Sequence, residues 1–598
     1  MNETIGIIPR AFRRRGVWVA CTLLLRAGLN FLGLAMLLPV LALVLDPGSL
    51  EGGGVLTRAY EGLGFASQRT FALAVCAAVV GVIVLKCLLG LWLARVERTY
   101  IYDLYRTLSR RLLVTYHDRG LPFVKASNSA VLARNVNVVC LAFAAGVLKP
   151  AAAIAAEAML LVLLFGALMW YTPLAALLAL AVFLPSIWLY YGLVRNRINR
   201  YGELENKAQR EKARLVAETF RGYADIEINN AFPMMLRQFD RAMDQVIRTR
   251  LRETAIGLLP QTFTEVGLAV GMALLVALSL GDGDGRAQML FGVFAVAALR
   301  LMPSVRNIMT GWTAIKYNRY TIGILRDAAA DCPPAPANPD CRDTPGPRST
   351  SAATVAPGNS GNPGNPAADT ASSPEKLPFR HEIAVRDLRF RFADGGRELF
   401  HGLSLTIRKG ERIGIRGASG AGKTTLFNLL LGLYEPSGGE IAIDGTPLTA
   451  ANRRAWQNRI GYVSQNLFIA DGSFAANVAL GIPAGEVDRE RVMQALRAAQ
   501  LGELVTGLAK GIATHVGECG CRLSGGQRQR IGIARALYRQ ADVLFFDEAT
   551  SALDSRTEEE INRSIAGLAA RDAGLTLVVI AHRESSLEYC NRIITIGE

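Results

Sequence analysis

The sequence predicts an α-helical transmembrane bundle of six spans followed by an α/β domain. The chain has 598 residues, of which 51% are hydrophobic, and its mean hydropathy of +0.24 is high for a soluble protein of this length. From about residue 378 onward, long apolar runs give way to short strand patterns that alternate with helix patterns. A chain this long exceeds one hydrophobic core, so we expect at least two domains.

Six apolar stretches reach, or nearly reach, the roughly 20 residues that a helix needs to cross a bilayer. They cover residues 17–45, 70–94, 138–167, 172–194, 256–280 and 288–311. The first stretch follows three arginines at 13–15 and is too long for the apolar core of a signal peptide. We therefore expect no cleavable signal.

The distribution of Arg and Lys between the spans predicts the orientation of the chain. The segment before the first span and the loops 95–137 and 195–255 are rich in these cations, whereas 46–69, 168–172 and 281–287 are poor in them. Both termini are therefore expected in the cytoplasm, and the formal net charge of +15 reflects membrane topology rather than a nucleic-acid surface. The two long basic loops have helical patterns and are expected to extend the membrane helices.

Two segments lie outside this pattern of spans and basic loops. Residues 55–65 form either a short amphipathic helix on the outer surface or a plain loop. Residues 332–376 are rich in Pro, Gly, Ser and Asn, which is the composition of a flexible linker. The predicted domains are a transmembrane domain at 1–331, a linker at 332–377 and an α/β domain at 378–598.

Residues 417–424, Gly-Ala-Ser-Gly-Ala-Gly-Lys-Thr, fit the phosphate-binding loop at every defined position. The loop follows an apolar strand and opens a helix, so backbone N–H groups at the helix N-terminus can face phosphates. Lys423 is expected to neutralise the β- and γ-phosphates, and Thr424 to bind Mg²⁺. The predicted nucleotide contacts in this loop are Gly417, Ser419, Gly420, Gly422, Lys423, Thr424 and Thr425.

The apolar run 543–546 ends in two carboxylates, Asp547 and Glu548. Four consecutive apolar residues suit a strand that is buried on both faces of a parallel sheet. We expect Asp547 to reach Mg²⁺ and Glu548 to lie beside the γ-phosphate, where a carboxylate polarises the attacking water.

Four further motifs together resemble those of ATP-binding-cassette (ABC) ATPases. Residues 523–527, Leu-Ser-Gly-Gly-Gln, resemble the family's signature, and Gln465 stands where the family has its Q-loop glutamine. Residues 551–554 resemble the D-loop, and His582 lies in Ala-His-Arg, which resembles the switch-histidine loop. Phe392 stands where the family usually has a tyrosine that stacks on adenine, and an aromatic face suffices for stacking.

The resemblance implies an α/β P-loop NTPase domain of ABC type that binds ATP and Mg²⁺. It implies catalytic roles for Glu548, His582 and Gln465, and metal ligation by Thr424, Gln465 and Asp547. It also implies that the signature of one subunit completes the site of the other, so we expect a homodimer. The further implied nucleotide contacts are Phe392, Ser524, Gly525, Gly526, Gln527 and Asp554.

The order of the domains resembles exporter-type ABC half-transporters, in which six helices precede one cassette. Residues 514–518 resemble the X-loop of these proteins, although His515 replaces the usual glutamate there. Residues 220–228 lie where exporters place their second coupling helix.

Charged side chains within membrane spans are costly, so they face a cavity or a partner, or they snorkel toward water. Residues 300–304, followed by Arg306, resemble the sixth helix of bacterial lipid-linked oligosaccharide flippases (PglK type). Lys86 falls at a position where those flippases have an arginine. Gln261 is a difference, because it stands at a position where they have another arginine. The resemblance implies that Lys86, Arg300 and Arg306 attract a lipid diphosphate. Other charged residues in the spans are Arg26, Glu157 and Glu265.

The sequence therefore predicts ATP-driven translocation across the bacterial inner membrane, with a lipid-linked oligosaccharide or a related glycolipid as substrate and no nucleic-acid partner. One alternative is a general lipid or multidrug ABC exporter, and another is a non-pumping ABC-type channel or regulatory subunit. A soluble ABC ATPase acting on DNA or ribosomes conflicts with the six spans. The nine cysteines show no metal-ligand spacing, which is typical of reduced thiols.

Overall fold

The computed structural model describes residues 7–35, 62, 68–171, 173–279, 286–330, 376–392, 398–548, 556–561, 563, 567, 574–581, 587–588 and 590–597. Contacts between Cα atoms divide the chain into two units, Met1–Pro347 and Arg348–Glu598. The predicted linker lies outside the described residues except at 376 and 377, so the domain boundaries stay predictions. The segment 55–65 also lies outside them, apart from Gly62.

The regular structure described in the first unit is helical. Its helices are α1 (Arg10–Ala35), α2 (Gln68–Asp118), α3 (Gly120–Ala126), α4 (Ser129–Arg134), α5 (Cys140–Phe143), α6 (Lys149–Tyr171), α7 (Pro173–Arg221), α8 (Tyr223–Ile228), α9 (Phe232–Ser279), α10 (Arg286–Tyr317) and α11 (Tyr320–Ala330). Two short π-helical segments, Asn135–Val139 and Ala144–Leu148, connect α4 to α5 and α5 to α6.

The predicted spans coincide with these helices wherever the structure describes them. Four described segments are long and apolar enough to cross a membrane: Phe12–Gly33, Thr70–Asp118, Ser129–Trp170 and Ala176–Arg221. The predicted fifth and sixth spans lie on α9 and α10. The predicted helical character of the long basic loops is also confirmed, because α2, α7 and α9 continue far beyond the apolar stretches.

Helices α7, α9 and α10 share one apolar core. Phe183, Tyr190 and Ile198 of α7 are buried against Leu301 and Met309 of α10. The ring of Phe263 on α9 meets the ring of Tyr190 edge-on, with centroids 6.3 Å apart. The last three long helices of the unit are therefore packed as one group.

The second unit contains two sheets. The strands are β1 (Glu382–Phe390), β2 (Phe400–Arg408), β3 (Arg412–Gly417), β4 (Gly438–Ile443), β5 (Thr446–Pro447), β6 (Ile460–Val463), β7 (Val543–Asp547), β8 (Thr576–Ile580) and β9 (Arg592–Ile596). One sheet is antiparallel with the order β2-β1-β4-β5, and the other is parallel with the order β6-β7-β8-β3-β9.

Helices and short turns connect these strands. The α-helices are α12 (Lys423–Leu430), α13 (Arg453–Gln457), α14 (Phe474–Val478), α15 (Arg489–Ala498), α16 (Gly502–Thr506) and α17 (Gly525–Tyr538). Single 3₁₀ turns occur at Gly511–Ala513 and Glu518–Gly520. Every residue of β7 is buried, which confirms the prediction of a strand enclosed on both faces. Because parallel strands end at one edge of a sheet, the ends of β3, β6 and β7 lie at the same edge.

Candidate functional site

The phosphate loop joins β3 to α12, and glycines determine its path. Gly420 and Gly422 have φ angles of +84° and +94°, a conformation that favours glycine because it lacks Cβ. At Gly417 a Cβ would overlap the carbonyl oxygen of Ile596 on the neighbouring strand β9. The loop therefore needs glycine at these three positions for backbone reasons alone.

Lys423 is held inside this loop. Its side-chain Nζ donates to the carbonyl oxygens of Gly417, at 2.9 Å, and Ala418, at 3.0 Å. Only 7% of the residue is exposed, and a buried ammonium requires polar partners of this kind. The cation therefore lies among the backbone groups that the motif directs toward phosphates.

Strand β7 brings Asp547 to the first turn of α12. The hydroxyl of Thr424 lies 3.4 Å from Oδ1 of Asp547, and Asp547 is 1% exposed. Burial, together with the negative charge of Asp547, raises the pKa of Tyr462 on the adjacent strand β6. The hydroxyl and carboxylate oxygens are the ligands that Mg²⁺ prefers, so this pair fits a magnesium ion.

The next residue, Glu548, faces a different partner. Its Oε2 accepts a hydrogen bond of 2.8 Å from Nε2 of Gln465, which follows β6. The backbone of Glu548 has φ of +51°, and its N–H donates to the carbonyl oxygen of Ile580 at 3.0 Å. A left-handed non-glycine residue costs about 1–3 kcal/mol and is found mainly at functional sites. The sharp turn separates the two carboxylates that the strand delivers.

The signature residues begin helix α17. Ser524 is the N-cap: its Oγ accepts from the Gln527 N–H at 3.2 Å, and Oε1 of Gln527 accepts from the Ser524 N–H at 2.9 Å. This reciprocal capping fixes the helix start and presents Gly525 and Gly526 in its first turn. No hydrogen bond recorded among the described residues joins this segment to the phosphate loop of the same chain.

Phe392 lies on a small aromatic cluster after β1. Its ring meets Phe390 and Tyr434 edge-on, with centroids 5.0 Å and 6.1 Å apart, and those two rings stack on each other. Phe392 is 43% exposed, so a planar base can reach part of its ring. The sequence patterns did not predict the supporting rings of Phe390 and Tyr434. The aromatic residue at position 434 was the hint of them that the sequence offered.

In the membrane unit, the charged residues of the spans fall into two groups. Arg26 pairs with Glu97 at 3.1 Å. Glu157 accepts hydrogen bonds from Ser304, at 2.7 Å, and Asn307, at 2.9 Å. No ion pair is recorded for Lys86 or Arg306 with any carboxylate that the structure describes. The side chain of Arg300 lies outside the described residues.

Lys86 has a defined place between two membrane helices. A Cβ built on Gly33 of α1 would lie 2.8 Å from the Lys86 Nζ and 2.7 Å from its Cδ. The lysine side chain therefore lies across the surface of α1, directly against Gly33.

Comparisons with known proteins give consistent matches. A family profile described as "ABC transporter" matches residues 400–551. The chain is 30% identical over 438 residues to an ATP-dependent lipid A-core flippase of Ralstonia nicotianae, covering 72% of this chain and 67% of that protein. A protein of the same description from Burkholderia pseudomallei is 29% identical over 549 residues, which cover 90% and 84% of the two chains.

The chain belongs to the ABC transporter family. A solved structure of a bacterial Atm1-family ABC exporter with ATP bound is similar in fold, with a TM-score of 0.72, 22% identity and coverage of 98% and 94% of the two chains. The predicted fold class is confirmed, and the protein is an exporter-type half-transporter in which one membrane domain is fused to one cassette. It is a membrane protein that binds ATP and couples its hydrolysis to transport.

This ABC transporter brings five of its predicted site residues together within the chain: Lys423, Thr424, Gln465, Asp547 and Glu548. The arrangement provides a cation for phosphates, a hydroxyl and a carboxylate suited to a metal, and a second carboxylate for water. His582 and Asp554 lie outside the described residues, so their predicted roles stay predictions. His515, in the segment that resembles the X-loop, pairs through its backbone with Ser473.

We predict that Glu548→Gln lowers ATP hydrolysis by about 10²–10⁴-fold, because an amide cannot accept a proton from water. ATP binding should persist, since the phosphate loop is unchanged. Phosphate release and binding of a fluorescent ATP analogue measure the two effects. Glu440→Gln is the control. It makes the same chemical change at a residue distant from Glu548 in the sequence, where it removes an exposed ion pair with Arg386. Normal hydrolysis by the Glu548 variant would remove the proposed role.

Proposed function

We propose that this half-transporter acts as a homodimer in the bacterial inner membrane and flips a glycolipid with a phosphate-bearing head group. The narrower candidate is a lipid-linked oligosaccharide. The similarity to proteins described as lipid A-core flippases supports the broader class of substrate. In this proposal both termini lie in the cytoplasm, as the loop charges predict.

The observation that carries the proposal is the position of Lys86. Its ammonium lies between two membrane helices, against Gly33, and no described carboxylate forms an ion pair with it. Unpaired cations at membrane depth are costly and mark pathways for anions. A phosphate or diphosphate head group offsets that cost, whereas a neutral substrate does not.

Helix α10 supplies a polar surface for the rest of the head group. Arg306 follows Ser304 and precedes Asn307, and the latter two donate to Glu157 on α6. Such hydroxyl, amide and carboxylate groups suit the hydroxyls of a sugar. Arg300 precedes Arg306 by six residues on the same helix, or about 1.7 turns, and it belongs to the proposed set by its sequence position.

In the nucleotide site, we assign Glu548 as the general base and Gln465 and His582 as its supporting catalytic groups. Thr424, Asp547 and Gln465 would hold Mg²⁺, which supplies charge neutralisation at the phosphates. Phe392 would stack on adenine, while Thr425 and the loop residues bind phosphates. The partner subunit's signature residues would complete the site together with Asp554.

A general lipid or multidrug exporter is the second candidate. The helical bundle would serve either substrate, but Lys86 and Arg306, for which no ion pair with a described carboxylate is recorded, disfavour a cationic drug. A non-pumping channel or regulatory subunit is disfavoured by the Gln465–Glu548 hydrogen bond, since that pair is arranged for hydrolysis.

We predict that Lys86→Gln and Arg306→Gln each weaken flipping of a diphosphate-linked glycolipid by about tenfold or more, as expected for the loss of a charge-assisted contact. Lys86→Arg, which keeps the charge, is the matched control for Lys86→Gln. Fluorescent lipids in reconstituted vesicles report flipping with Mg²⁺ and ATP. A lipid A-core type glycolipid and a diphosphate-linked oligosaccharide, tested side by side, separate the broad proposal from the narrow one.

Equal flipping by the wild type and both glutamine variants would reject the proposed head-group site. Transport of a lipophilic cationic dye but of neither glycolipid would favour the multidrug alternative.

We predict that the active sites are shared between two chains. A heterodimer of a Lys423→Ala chain with a Ser524→Ala chain then retains one intact site. A heterodimer of wild type with a chain carrying both substitutions retains none. After purification through two different tags, ATP hydrolysis should be higher for the first pair. The reverse order would show that each chain completes its own site, against the proposed dimer.

A further inference from the structure

One buried carboxylate ties three helices together in the long extensions of the membrane unit. Glu205 on α7 accepts a hydrogen bond of 2.7 Å from Nε of Arg250 on α9. It also accepts one from the hydroxyl of Tyr317 at the end of α10. The side chain of Glu205 is 9% exposed, and burial, together with the bond to Glu205, raises the pKa of the Tyr317 hydroxyl. We call Glu205, Arg250 and Tyr317 the three-helix pin.

The backbones of α7 and α10 touch beside this pin. Gly202 lies one turn before Glu205, and a Cβ there would overlap the carbonyl oxygen of Tyr317. Further along the same two helices, the hydroxyls of Tyr190 and Thr313 share a buried hydrogen bond. Helices α7 and α10 are therefore joined by two side-chain hydrogen bonds, Glu205–Tyr317 and Tyr190–Thr313, and by a backbone contact at Gly202.

The pin lies between the tip formed by α7, α8 and α9 and the part of α10 that carries Arg306. Helices α7 and α9 are connected through α8, and Phe220, Tyr223 and Ile228 at this end expose most of their apolar surface. An exposed apolar tip of this kind is a contact surface. In the other direction, Arg306 precedes Tyr317 by 11 residues on α10, or about 16 Å along the helix.

We propose that the three-helix pin contains positioning residues that transmit movement of the α7–α8–α9 tip to α10, the helix that carries Arg300 and Arg306. The inference rests on the proposed function, in which α10 contacts substrate, and on the position of residues 220–228, where exporters place their second coupling helix. Charge-assisted hydrogen bonds to a buried carboxylate are strong and directional. Without the pin, movement of the α7–α8–α9 tip would not reach α10. The protein would then hydrolyse ATP but transport fewer lipids.

The test measures the number of lipids flipped for each ATP hydrolysed by the full-length dimer in vesicles. Tyr317→Phe removes the hydroxyl donor, and Glu205→Gln removes the charge that holds Arg250. Each should lower the ratio by about threefold or more while basal ATP hydrolysis stays within about twofold. The double variant should lose little more than the more severe single variant, because both changes break one unit.

Arg248→Gln is the matched control. Arg248 lies two residues before Arg250 on α9, and its ion pair with Asp244, at 3.7 Å, is exposed on both sides. The number of lipids that this variant flips for each ATP hydrolysed should equal that of the wild type. Gly202→Ala provides an independent variant, since it changes no side chain of the pin but forces apart the helix backbones beside it, and it should also lower the number of lipids flipped for each ATP.

An unchanged ratio in Tyr317→Phe and Glu205→Gln would overturn the inference. A parallel fall in hydrolysis and transport, with the ratio kept, would also overturn it, because the cluster would then only stabilise the fold.

Lack of lipid flipping by the wild type would instead reject the proposed function. In that case, maleimide labelling of Asn307→Cys, in a chain without its other cysteines, reports α10 movement. Nucleotide-dependent labelling that the pin variants abolish supports the pin, and labelling that they leave intact rejects it.

Discussion

The end of strand β7 is the constraint on which the nucleotide site depends. The strand is buried on both faces, so its last residues leave the sheet at a fixed point between the ends of β6 and β8. Asp547 continues the strand and reaches Thr424, whereas Glu548 turns into a left-handed conformation and reaches Gln465. Two adjacent carboxylates therefore serve two different partners. The hydrogen bond from the Glu548 N–H to Ile580 of β8 helps to hold this left-handed conformation.

The membrane unit follows a second constraint, the cost of charge in a bilayer. Arg26 meets that cost by pairing with Glu97, and Glu157 meets it through two hydrogen bonds from α10. Lys86 has a fixed position against Gly33 but no recorded partner among the described carboxylates. Among the charged groups that the structure describes in the spans, this contrast marks Lys86 as the candidate contact for a phosphate under the proposed function. Under the proposed function, the same contrast favours an anionic head group over a cationic drug as the substrate.

The sequence predicts features whose determinants are close together in the chain. The phosphate loop, the buried strand β7 and the helical extensions depend on local patterns, and the structure contains all three. Contacts between distant residues have no such pattern. Glu205 meets Tyr317 across 112 residues, and Lys86 meets Gly33 across the whole segment between α1 and α2. The φ angle of Glu548 is set by its neighbours in the sheet, so no propensity of glutamate could indicate it.

Metal binding most directly tests whether Asp547, and not Glu548, holds the magnesium ion at the end of β7. Electron paramagnetic resonance of Mn²⁺, used in place of Mg²⁺, measures metal affinity of the ATP-bound protein. The account predicts that Asp547→Asn weakens Mn²⁺ binding strongly, whereas Glu548→Gln leaves it close to the wild-type value. Equal weakening by the two substitutions, or a larger effect at Glu548, would contradict the separation of the two carboxylates.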